Sequence, residues 1–422
     1  MTHEETHNRP QSLQLSIGAL FFAVLLPSAL WYVGINWLKL DLNTDPLINT
    51  ALGCSIAALT ASIWFRNLTR FPGITGAGYI IPSLAAPYGL LVLILLLGRI
   101  DYSRVLVASS VAICLVWFFI YYLQRQRSRN IEFGYIDGGG IEKLTALDGI
   151  SWQKIETIAD VKPAMRAVTI DFASDVSDEW ERALSHLVLQ GVPVYDFKEL
   201  VESLSGKVEI DHPSENKFGG LAPLAPYFKM RMVFDRVTAL LTLIALLPVF
   251  VIVGILIRLE TPGPIFFRQE RVGYRGRPFL VCKFRTMRHE ADRPTDRSGS
   301  ITSANDVRIT RVGQFLRRSR IDELPQVWNI LKGEMGWIGP RPEALPLSKW
   351  YENEIPFYLY RHVVPPGVTG WAQVRQGHVA DLEGVTEKLA YDFYYIKNFS
   401  FWLDLLIVFM TIRTMFTGYG HK

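Results

Sequence analysis

The sequence predicts a membrane protein: an α-helical N-terminal bundle, an α/β module, and a mixed α/β domain with a re-entrant membrane helix hairpin. Two observations lead to this fold class. The chain of 422 residues is 49% hydrophobic yet 20% charged, which suits neither a soluble nor a fully membrane-embedded protein. Long apolar runs also alternate with polar stretches that have strand and amphipathic-helix patterns. We expect domains over 1–125, 126–220 and 221–422.

Apolar segments fill the N-terminal region, and each is close to the roughly 20 residues that a helix needs to cross a bilayer. They are Leu13–Ile35, Leu47–Phe65, Gly76–Gly98 and Val105–Leu123. We therefore predict a four-helix transmembrane domain over 1–125. Arginines favour a cytoplasmic location for both ends of this bundle. Buried helices of a large soluble protein are the alternative that the pattern leaves open.

The chain becomes polar between residues 126 and 220. RAVTIDF and VPVYDF have the composition of strands, and each is followed by an amphipathic segment, DEWERALSHLVLQG and KELVESLSG. Strands that alternate with helices predict a parallel sheet. We expect a cytoplasmic Rossmann-like α/β module followed by a linker. The glycine-rich GYIDGGGIEK lacks the GxGxxG spacing of a dinucleotide site and is interpreted as a turn.

The apolar run Val237–Ile257 either crosses the membrane or returns to the side from which it entered. Pro248 lies in its middle and removes a backbone donor, so a helix is expected to break or kink there. Basic residues on both sides of the run favour cytoplasmic flanks. We predict a re-entrant helix–break–helix hairpin over 237–257, with a kinked spanning helix as the alternative.

Basic residues surround an adjacent acidic pair, Asp322 and Glu323, downstream of this run. The KFR motif would place two cations on one strand face, and GPRP forms a rigid turn that presents an arginine. Arginine and lysine side chains in such an arrangement bind phosphate groups. The cations expected to bind the phosphates of a substrate are Lys283, Arg285, Arg318 and Arg341.

Two neighbouring carboxylates cannot face the same way on a helix or strand, so distinct roles suit Asp322 and Glu323. A carboxylate held among cations is expected to have a depressed pKa, to stay ionised and to attack phosphorus. A second carboxylate can hold a magnesium ion that bridges phosphate oxygens. Pro325 favours a helix start just after the pair. A solvated salt-bridge network is the alternative, and the nearby KFR and GPRP motifs count against it.

These motifs resemble those of the bacterial sugar transferase family, the monotopic polyprenyl-phosphate phosphoglycosyl transferases. The resemblance covers about Lys229 to Asp404 and includes KMRMVFDR, GPIFFRQERVG, KFRTM, IDELPQ, KGEMGWIGPRP and PPGVTGWAQV. The N-terminal segments and the middle module are similar to the large subclass. Leu247-Pro248 departs from the Ser-Pro that members often carry at the hairpin break, and RSRIDE departs from their Ser-Leu-Asp-Glu sequence.

The resemblance implies transfer of a sugar 1-phosphate from a UDP-sugar to polyprenyl (undecaprenyl) phosphate, with release of UMP. This step initiates exopolysaccharide, capsule or O-antigen synthesis. Asp322 matches the nucleophile that carries the phosphosugar between two steps, and Glu323 matches the residue linked to Mg²⁺. Lys283, Arg285 and Arg341 match positions implicated in phosphate binding. The implied location is the bacterial inner membrane, with the catalytic domain on its cytoplasmic face.

Further partners follow from the same reasoning. Membrane lipids are expected around the apolar segments, and a homodimer is expected because the N-terminal regions exceed what the chemistry needs. No nucleic acid is expected, since no nucleic-acid-binding motif accompanies the basic residues. A non-catalytic membrane scaffold of glycan assembly is the alternative function, and the intact Asp322–Glu323 pair counts against it. The residues do not identify the sugar; the subclass suggests a UDP-hexose such as glucose or galactose.

Overall fold

The chain divides into two compact units, Met1–Gly206 and Lys207–Lys422. The computed structural model describes residues 9–38, 45–72, 76–127, 132–137, 144, 151–157, 160, 165–172, 177–208, 225–288, 306, 308–377 and 381–417. The predicted linker falls mostly outside these residues, as does the centre of GYIDGGGIEK. The domain boundaries expected at residues 125 and 220 stay predictions.

The predicted apolar segments of the first unit are helices. They are α1 (Arg9–Leu20), a π-helical turn (Phe21–Leu25), α2 (Leu26–Leu38), α3 (Asp45–Leu68), a 3-10 turn (Gly76–Tyr79), α4 (Ile80–Leu97) and α5 (Arg104–Arg127). Within the described residues, 5 helices are long and apolar enough to cross a membrane. Those of this unit cover Gln14–Val33, Pro46–Leu68, Ala77–Leu97 and Arg104–Gln124. The predicted helical N-terminal region with candidate membrane spans is therefore confirmed.

Small side chains line the contacts between these helices. Ala19 of α1 and Ala58 and Ala61 of α3 are completely buried in one apolar cluster with Phe118 of α5. Small residues allow helix backbones to approach closely, which is how membrane helices associate when lipid is as apolar as the side chains. The indole of Trp117 adds a hydrogen bond from α5 to the carbonyl oxygen of Leu15 at 3.1 Å.

The α/β module of the first unit has the predicted alternation. Its elements are β1 (Glu132–Tyr135), β2 (Ser151–Lys154), β3 (Met165–Ile170), α6 (Asp178–Leu189), β4 (Val194–Asp196) and α7 (Phe197–Ser205). The strands pair in parallel in the order β2-β1-β3-β4. The parallel sheet expected from the sequence is thus confirmed, and α6 ends before Gly191, which has a φ of 86°.

The second unit combines one long helix with short strands and helices. Its elements are α8 (Ala225–Glu260), β5 (Phe266–Val272), β6 (Pro278–Phe284), α9 (Arg311–Arg318), a 3-10 turn (Ile321–Gln326), α10 (Val327–Lys332), β7 (Gly336–Ile338), α11 (Leu345–Glu354), a 3-10 turn (Tyr358–Val363), β8 (Gly367–Thr369), α12 (Trp371–Arg375), α13 (Leu382–Lys397) and α14 (Phe401–Thr417). β5 and β6 form an antiparallel hairpin, and β7 pairs with β8 in parallel.

Helix α8 continues through Pro248, so the predicted helix–break–helix is not confirmed. A proline removes one backbone hydrogen bond, and packing on both sides of Pro248 supports the helix. Ala239 packs against β6 and α10 in one cluster, and Val253 and Ile257 pack with Phe284 in another. The helix contains the remaining candidate span, Pro226–Glu260. Its path relative to the membrane stays a prediction.

Helix α14 packs one face into the second unit. Leu403, Leu406 and Ile407 are completely buried. Asp404, which interrupts this apolar helix, accepts hydrogen bonds from the hydroxyl groups of Tyr227 (2.6 Å) and Tyr395 (2.8 Å). The charge that breaks the apolar pattern therefore serves an internal hydrogen-bond network, which joins α14 to the start of α8 and to α13.

Candidate active site

The strand that carries Lys283 is fixed by an asparagine side chain. Asn329 of α10 accepts a hydrogen bond from the N–H of Cys282 at 2.9 Å and donates to the carbonyl oxygen of Leu280 at 2.7 Å. The amide thus satisfies backbone groups on the free edge of β6, as a neighbouring strand would. This contact sets the position of Lys283 relative to the turn that precedes α10.

The acidic pair lies in the 3-10 turn that leads into α10. Arg320 comes directly before this turn with a φ of 59°, in the left-handed region that non-glycine residues rarely adopt. Pro325 and Gln326 are buried at the far end of the turn. The chain therefore reverses sharply after α9 and places Asp322 and Glu323 just before a helix, as Pro325 led us to expect.

Glu323 is enclosed by cations. Its Oε1 atom accepts hydrogen bonds from Nζ of Lys283 at 2.7 Å and from Arg341 at 3.0 Å, and Arg320 lies 3.8 Å from Oε2. The Glu323 side chain is only 9% exposed. Burial alone would raise its pKa, but the charges of Arg341 and Lys283 hold the pKa of Glu323 well below its ordinary range. Glu323 is therefore ionised.

Asp322 has a different environment from its neighbour. It is half-buried, and within the described residues its carboxylate has no hydrogen bond or ion pair. Burial and the charge of Glu323 raise the pKa of Asp322, against the opposing charges of Lys283 and Arg317. The depressed pKa expected for the nucleophile is therefore wrong for Asp322; the lowered pKa belongs to its neighbour, Glu323. Desolvation and the adjacent carboxylate outweigh the surrounding cations.

The structure brings Lys283 and Arg341 to the acidic pair but directs Arg285 and Arg318 elsewhere. β6 ends at Phe284, so the alternation expected to align Lys283 with Arg285 stops too early. Arg285 instead donates hydrogen bonds to the carbonyl oxygens of Pro262 (2.6 Å) and Thr261 (2.8 Å) after α8. Arg318 is exposed on α9.

Arg317 and Arg320 are the cations from the arginine-rich stretch that act on Asp322, since both lower its pKa. Arg317 is held by a hydrogen bond from Nε to Oγ1 of Thr286 at 2.9 Å. The sequence pattern identified the stretch but did not separate these two residues from Arg318. Arg317 and Arg318 are neighbours on α9 and therefore point in different directions, whereas Arg320 lies beyond the end of that helix.

Arg271 was not among the predicted site residues. It lies on β5 and donates hydrogen bonds to the carbonyl oxygen of Pro342 at 2.5 Å and to Gln269 at 3.1 Å. Desolvation and the charge of Arg341 lower the pKa of Arg271 to about 10. Phe267 pairs with Lys283 across the hairpin, so strand alternation puts Gln269 and Arg271 on the same face as Lys283. The alternation of side chains along β5 could therefore have identified Arg271 from the sequence.

A second buried cluster lies next to Arg341. Lys388 is 2.6 Å from Glu343, and Arg361 is 2.8 Å from Asp392. Burial opposes ionisation of Glu343, but the charges of Lys388 and Arg361 hold its pKa well below the ordinary range. Sequence reasoning missed this cluster because its members come from distant parts of the chain. Only the fold brings them together.

The arrangement suits phosphate chemistry with a carboxylate nucleophile. Lys283 and Arg341 can bind phosphate oxygens, and Asp322 offers a carboxylate that makes no ion pair within the described residues. Among those residues, no group of three or more His, Cys, Asp or Glu side chains is arranged to hold a metal ion.

Comparison with known proteins identifies the family. A model of the family described as "Bacterial sugar transferase" matches residues 227–418. A curated relative from Aeromonas hydrophila, "UDP-N-acetylgalactosamine-undecaprenyl-phosphate N-acetylgalactosaminephosphotransferase", is 37% identical over 435 residues, and the alignment covers 100% of both chains. The chain belongs to the bacterial sugar transferase family. The resemblance seen in the sequence motifs is thereby confirmed.

Other relatives match less than half of this bacterial sugar transferase. The "UDP-glucose:undecaprenyl-phosphate glucose-1-phosphate transferase" of Xanthomonas campestris pv. campestris is 43% identical over 179 residues, which is 42% of this chain and 37% of the relative. The Escherichia coli (strain K12) protein of the same name is 40% identical over 190 residues, or 44% and 40% of the two chains. The family match includes the whole acidic pair and its cations.

Proposed function

We propose that this bacterial sugar transferase moves a sugar 1-phosphate from a UDP-sugar to undecaprenyl phosphate, or another polyprenyl phosphate, and releases UMP. The observation that carries the proposal is the Asp322–Glu323 pair against Lys283 and Arg341, inside the region that matches the family. The names of the relatives support both substrates. The product, a polyprenyl-diphosphate sugar, would start exopolysaccharide, capsule or O-antigen synthesis.

The first half-reaction uses Asp322 as the nucleophile. Its carboxylate oxygen attacks the sugar-bearing phosphorus, the bond between this phosphorus and the bridging oxygen of UMP breaks, and the electron pair leaves with UMP. Lys283 and Arg341 stabilise the negative charge on the phosphate oxygens. In the second half-reaction an oxygen of polyprenyl phosphate attacks the same phosphorus. The bond to Asp322 then breaks, and the carboxylate is restored.

Glu323 is the residue that would hold a magnesium ion. Magnesium in phosphate-transfer sites takes one or two carboxylates and completes its shell with substrate oxygens and water. The adjacent side chains of Asp322 and Glu323 supply carboxylate oxygens, the type of donor that magnesium prefers. When bound, the ion would neutralise charge on the phosphate oxygens.

The proposed location is the bacterial inner membrane, with the catalytic domain on the cytoplasmic face. The candidate spans and the family support a membrane protein in bacteria. Cytoplasmic placement gives the site access to nucleotide sugars. It requires both ends of the continuous helix α8 to lie on the cytoplasmic side, so that the helix enters the membrane without crossing it. The expected homodimer stays a prediction.

Topology can be tested by cysteine labelling. Arg277 is exposed between β5 and β6, so Arg277→Cys in a Cys282→Ser background should not react with an impermeant maleimide in intact spheroplasts. It should react after permeabilisation. Asp101→Cys, in the exposed connection between α4 and α5, is the matched control and should react from outside. Labelling of the Arg277→Cys protein from outside would favour a spanning α8.

The rate of phosphosugar transfer to Asp322 should fall at a higher pH than for an ordinary aspartate. Only the ionised carboxylate attacks, and burial with the charge of Glu323 raises the pKa of Asp322 above the usual value of about 3.9. Activity is therefore full above the raised pKa and is lost as pH falls through it. Single-turnover labelling of the enzyme without polyprenyl phosphate measures this, because ionisation of the acceptor then plays no part.

A variant of a neighbouring cation provides a second test of the pH dependence. Arg320 lowers the pKa of Asp322, so Arg320→Asn should move the acid limb to still higher pH. Asparagine tolerates the positive φ of this position. An acid limb at or below the ordinary aspartate value in the parent enzyme, or no movement in the variant, contradicts the assignment.

The function is tested by assaying the purified protein with undecaprenyl phosphate, Mg²⁺ and a panel of UDP-sugars. UDP-N-acetylgalactosamine is the first candidate, because the Aeromonas relative whose name contains it matches over the whole chain. UDP-glucose, UDP-galactose and UDP-N-acetylglucosamine complete the panel. Release of UMP together with a lipid-linked sugar supports the proposal. A folded protein that releases no UMP from any of these donors contradicts it.

A further inference from the structure

The turn that carries Arg341 depends on hydrogen bonds from other parts of the second unit. Its sequence, Gly339-Pro340-Arg341-Pro342, contains two prolines, which have no N–H group to donate. The N–H of Gly339 donates to Thr369 at 2.8 Å, and the carbonyl oxygen of Pro340 accepts from Gly367 at 3.0 Å. These two bonds to β8 leave other carbonyl groups of the turn to be satisfied by side chains.

Arginine side chains supply those donors. Arg231 of α8 donates to the carbonyl oxygen of Ile338, which directly precedes the turn. Arg361 donates to the carbonyl oxygen of Arg341 at 3.0 Å, and Arg271 donates to that of Pro342 at 2.5 Å. Arg231 and Arg361 are both buried. Burial of a guanidinium group costs several kcal/mol unless its charge and hydrogen bonds are compensated.

Arg361 is the arginine that holds the backbone of Arg341 itself. Its side chain is 2% exposed, and Asp392 accepts from Nε at 3.1 Å and from a terminal nitrogen at 2.8 Å. The same terminal nitrogen donates to Arg341, while the other donates to the hydroxyl oxygen of Tyr358 at 2.8 Å. Asp392 therefore orients the guanidinium so that one edge reaches the turn.

We propose that Arg361, oriented by Asp392, is a positioning residue that holds Arg341 at the phosphate site. Arg341 lies 3.0 Å from Glu323, and this placement depends on the path of a turn that Arg361 fixes through a backbone carbonyl. Within the described residues, Arg361 makes no hydrogen bond to Asp322 or Glu323. It acts on the donor phosphates through Arg341. This inference rests on the proposed function and deepens it.

Arg361→Lys tests the proposal because lysine keeps the charge but cannot bond Asp392, Tyr358 and the carbonyl oxygen together. We expect kcat/KM for the UDP-sugar to fall about tenfold to a hundredfold, the effect of losing a charged hydrogen bond or misplacing a substrate-binding group. The deciding measurement is a double-mutant cycle, in which kcat/KM is compared among the parent, Arg361→Lys, Arg341→Ala and the double variant. If Arg361 acts through Arg341, the double variant should be within about twofold of Arg341→Ala alone.

The competing explanation is a purely structural role for Arg361. In that case the losses in kcat/KM multiply in the double variant, and the proposal is overturned. Lys388→Gln is the matched control, since it removes another buried cation of the same cluster that donates to Glu343 and not to the turn. It should lower thermal stability with a much smaller loss of kcat/KM. If Arg361→Lys does not fold, Asp392→Asn enters the same cycle with the same expectation.

The experiments distinguish a failure of this inference from a failure of the proposed function. A parent enzyme that releases no UMP from any donor contradicts the function. A parent enzyme that turns over, with independent effects of Arg361 and Arg341, contradicts only the positioning role.

Discussion

Asp322→Asn is expected to abolish both UMP release and lipid-linked product. Asparagine keeps the shape of the side chain but lacks the charge and the nucleophilic oxygen. The loss should be on the order of 10⁴-fold or more, as for the removal of other covalent nucleophiles. The fold should survive, because no hydrogen bond or ion pair to Asp322 occurs within the described residues. The substitution also removes a carboxylate that is destabilised by burial and by Glu323.

Detection of the phosphosugar bound covalently to Asp322 tests the mechanism more directly than loss of activity does. Incubation with a sugar-labelled UDP-sugar, without polyprenyl phosphate, should leave label on the peptide that contains Asp322 and release an equal amount of UMP. The Asp322→Asn protein should remain unlabelled. Glu354→Gln, a change to an exposed carboxylate on α11, is the matched control and should label normally. A direct transfer between the two substrates predicts no label, and UMP only when polyprenyl phosphate is present.

Local sequence patterns were sufficient to predict most of the fold and the residues at the centre of the site. The long apolar runs, the strand–helix alternation and the turn residues each depend on neighbours in sequence, so they could be predicted. Asp322, Glu323, Lys283 and Arg341 were found because their motifs carry charge at a short, unusual spacing. The structure brings the last three within hydrogen-bonding distance.

The remaining features depend on where elements end and on contacts between distant residues. Arg285 was expected beside Lys283, but the end of β6 at Phe284 turns it toward the end of α8. The pKa of Asp322 depends on burial that no spacing shows. Arg361 and Asp392 are separated by 31 residues and join only in the folded domain. Helix α8 continues through Pro248 because packing on both sides compensates for one lost hydrogen bond.

Glu323→Gln should stop turnover and yet strengthen the magnesium-free binding of UDP. In the structure Glu323 is the counter-charge of Lys283 and Arg341, the cations assigned to the substrate phosphates. A diphosphate must therefore compete with Glu323 for them. The substitution leaves both cations without this partner, which typically destabilises a protein by about 3–5 kcal/mol. A bound diphosphate restores the missing charge, so its affinity should rise about tenfold. Turnover should still fail, because the proposed magnesium ligand is lost.

Two measurements on the purified variant decide this prediction. Calorimetric titration with UDP in the presence of EDTA should give tighter binding to the Glu323→Gln protein than to the parent. Without UDP, the variant should unfold at a lower temperature than the parent. UDP should raise the unfolding temperature of the variant by more than that of the parent, because a ligand that binds only the folded state stabilises it more when it binds more tightly. Glu343→Gln is the matched control: this buried carboxylate pairs with Lys388, so its loss should lower stability without a comparable gain in UDP affinity. Weaker or equal UDP binding by Glu323→Gln would mean that Glu323 does not compete with the phosphates for Lys283 and Arg341.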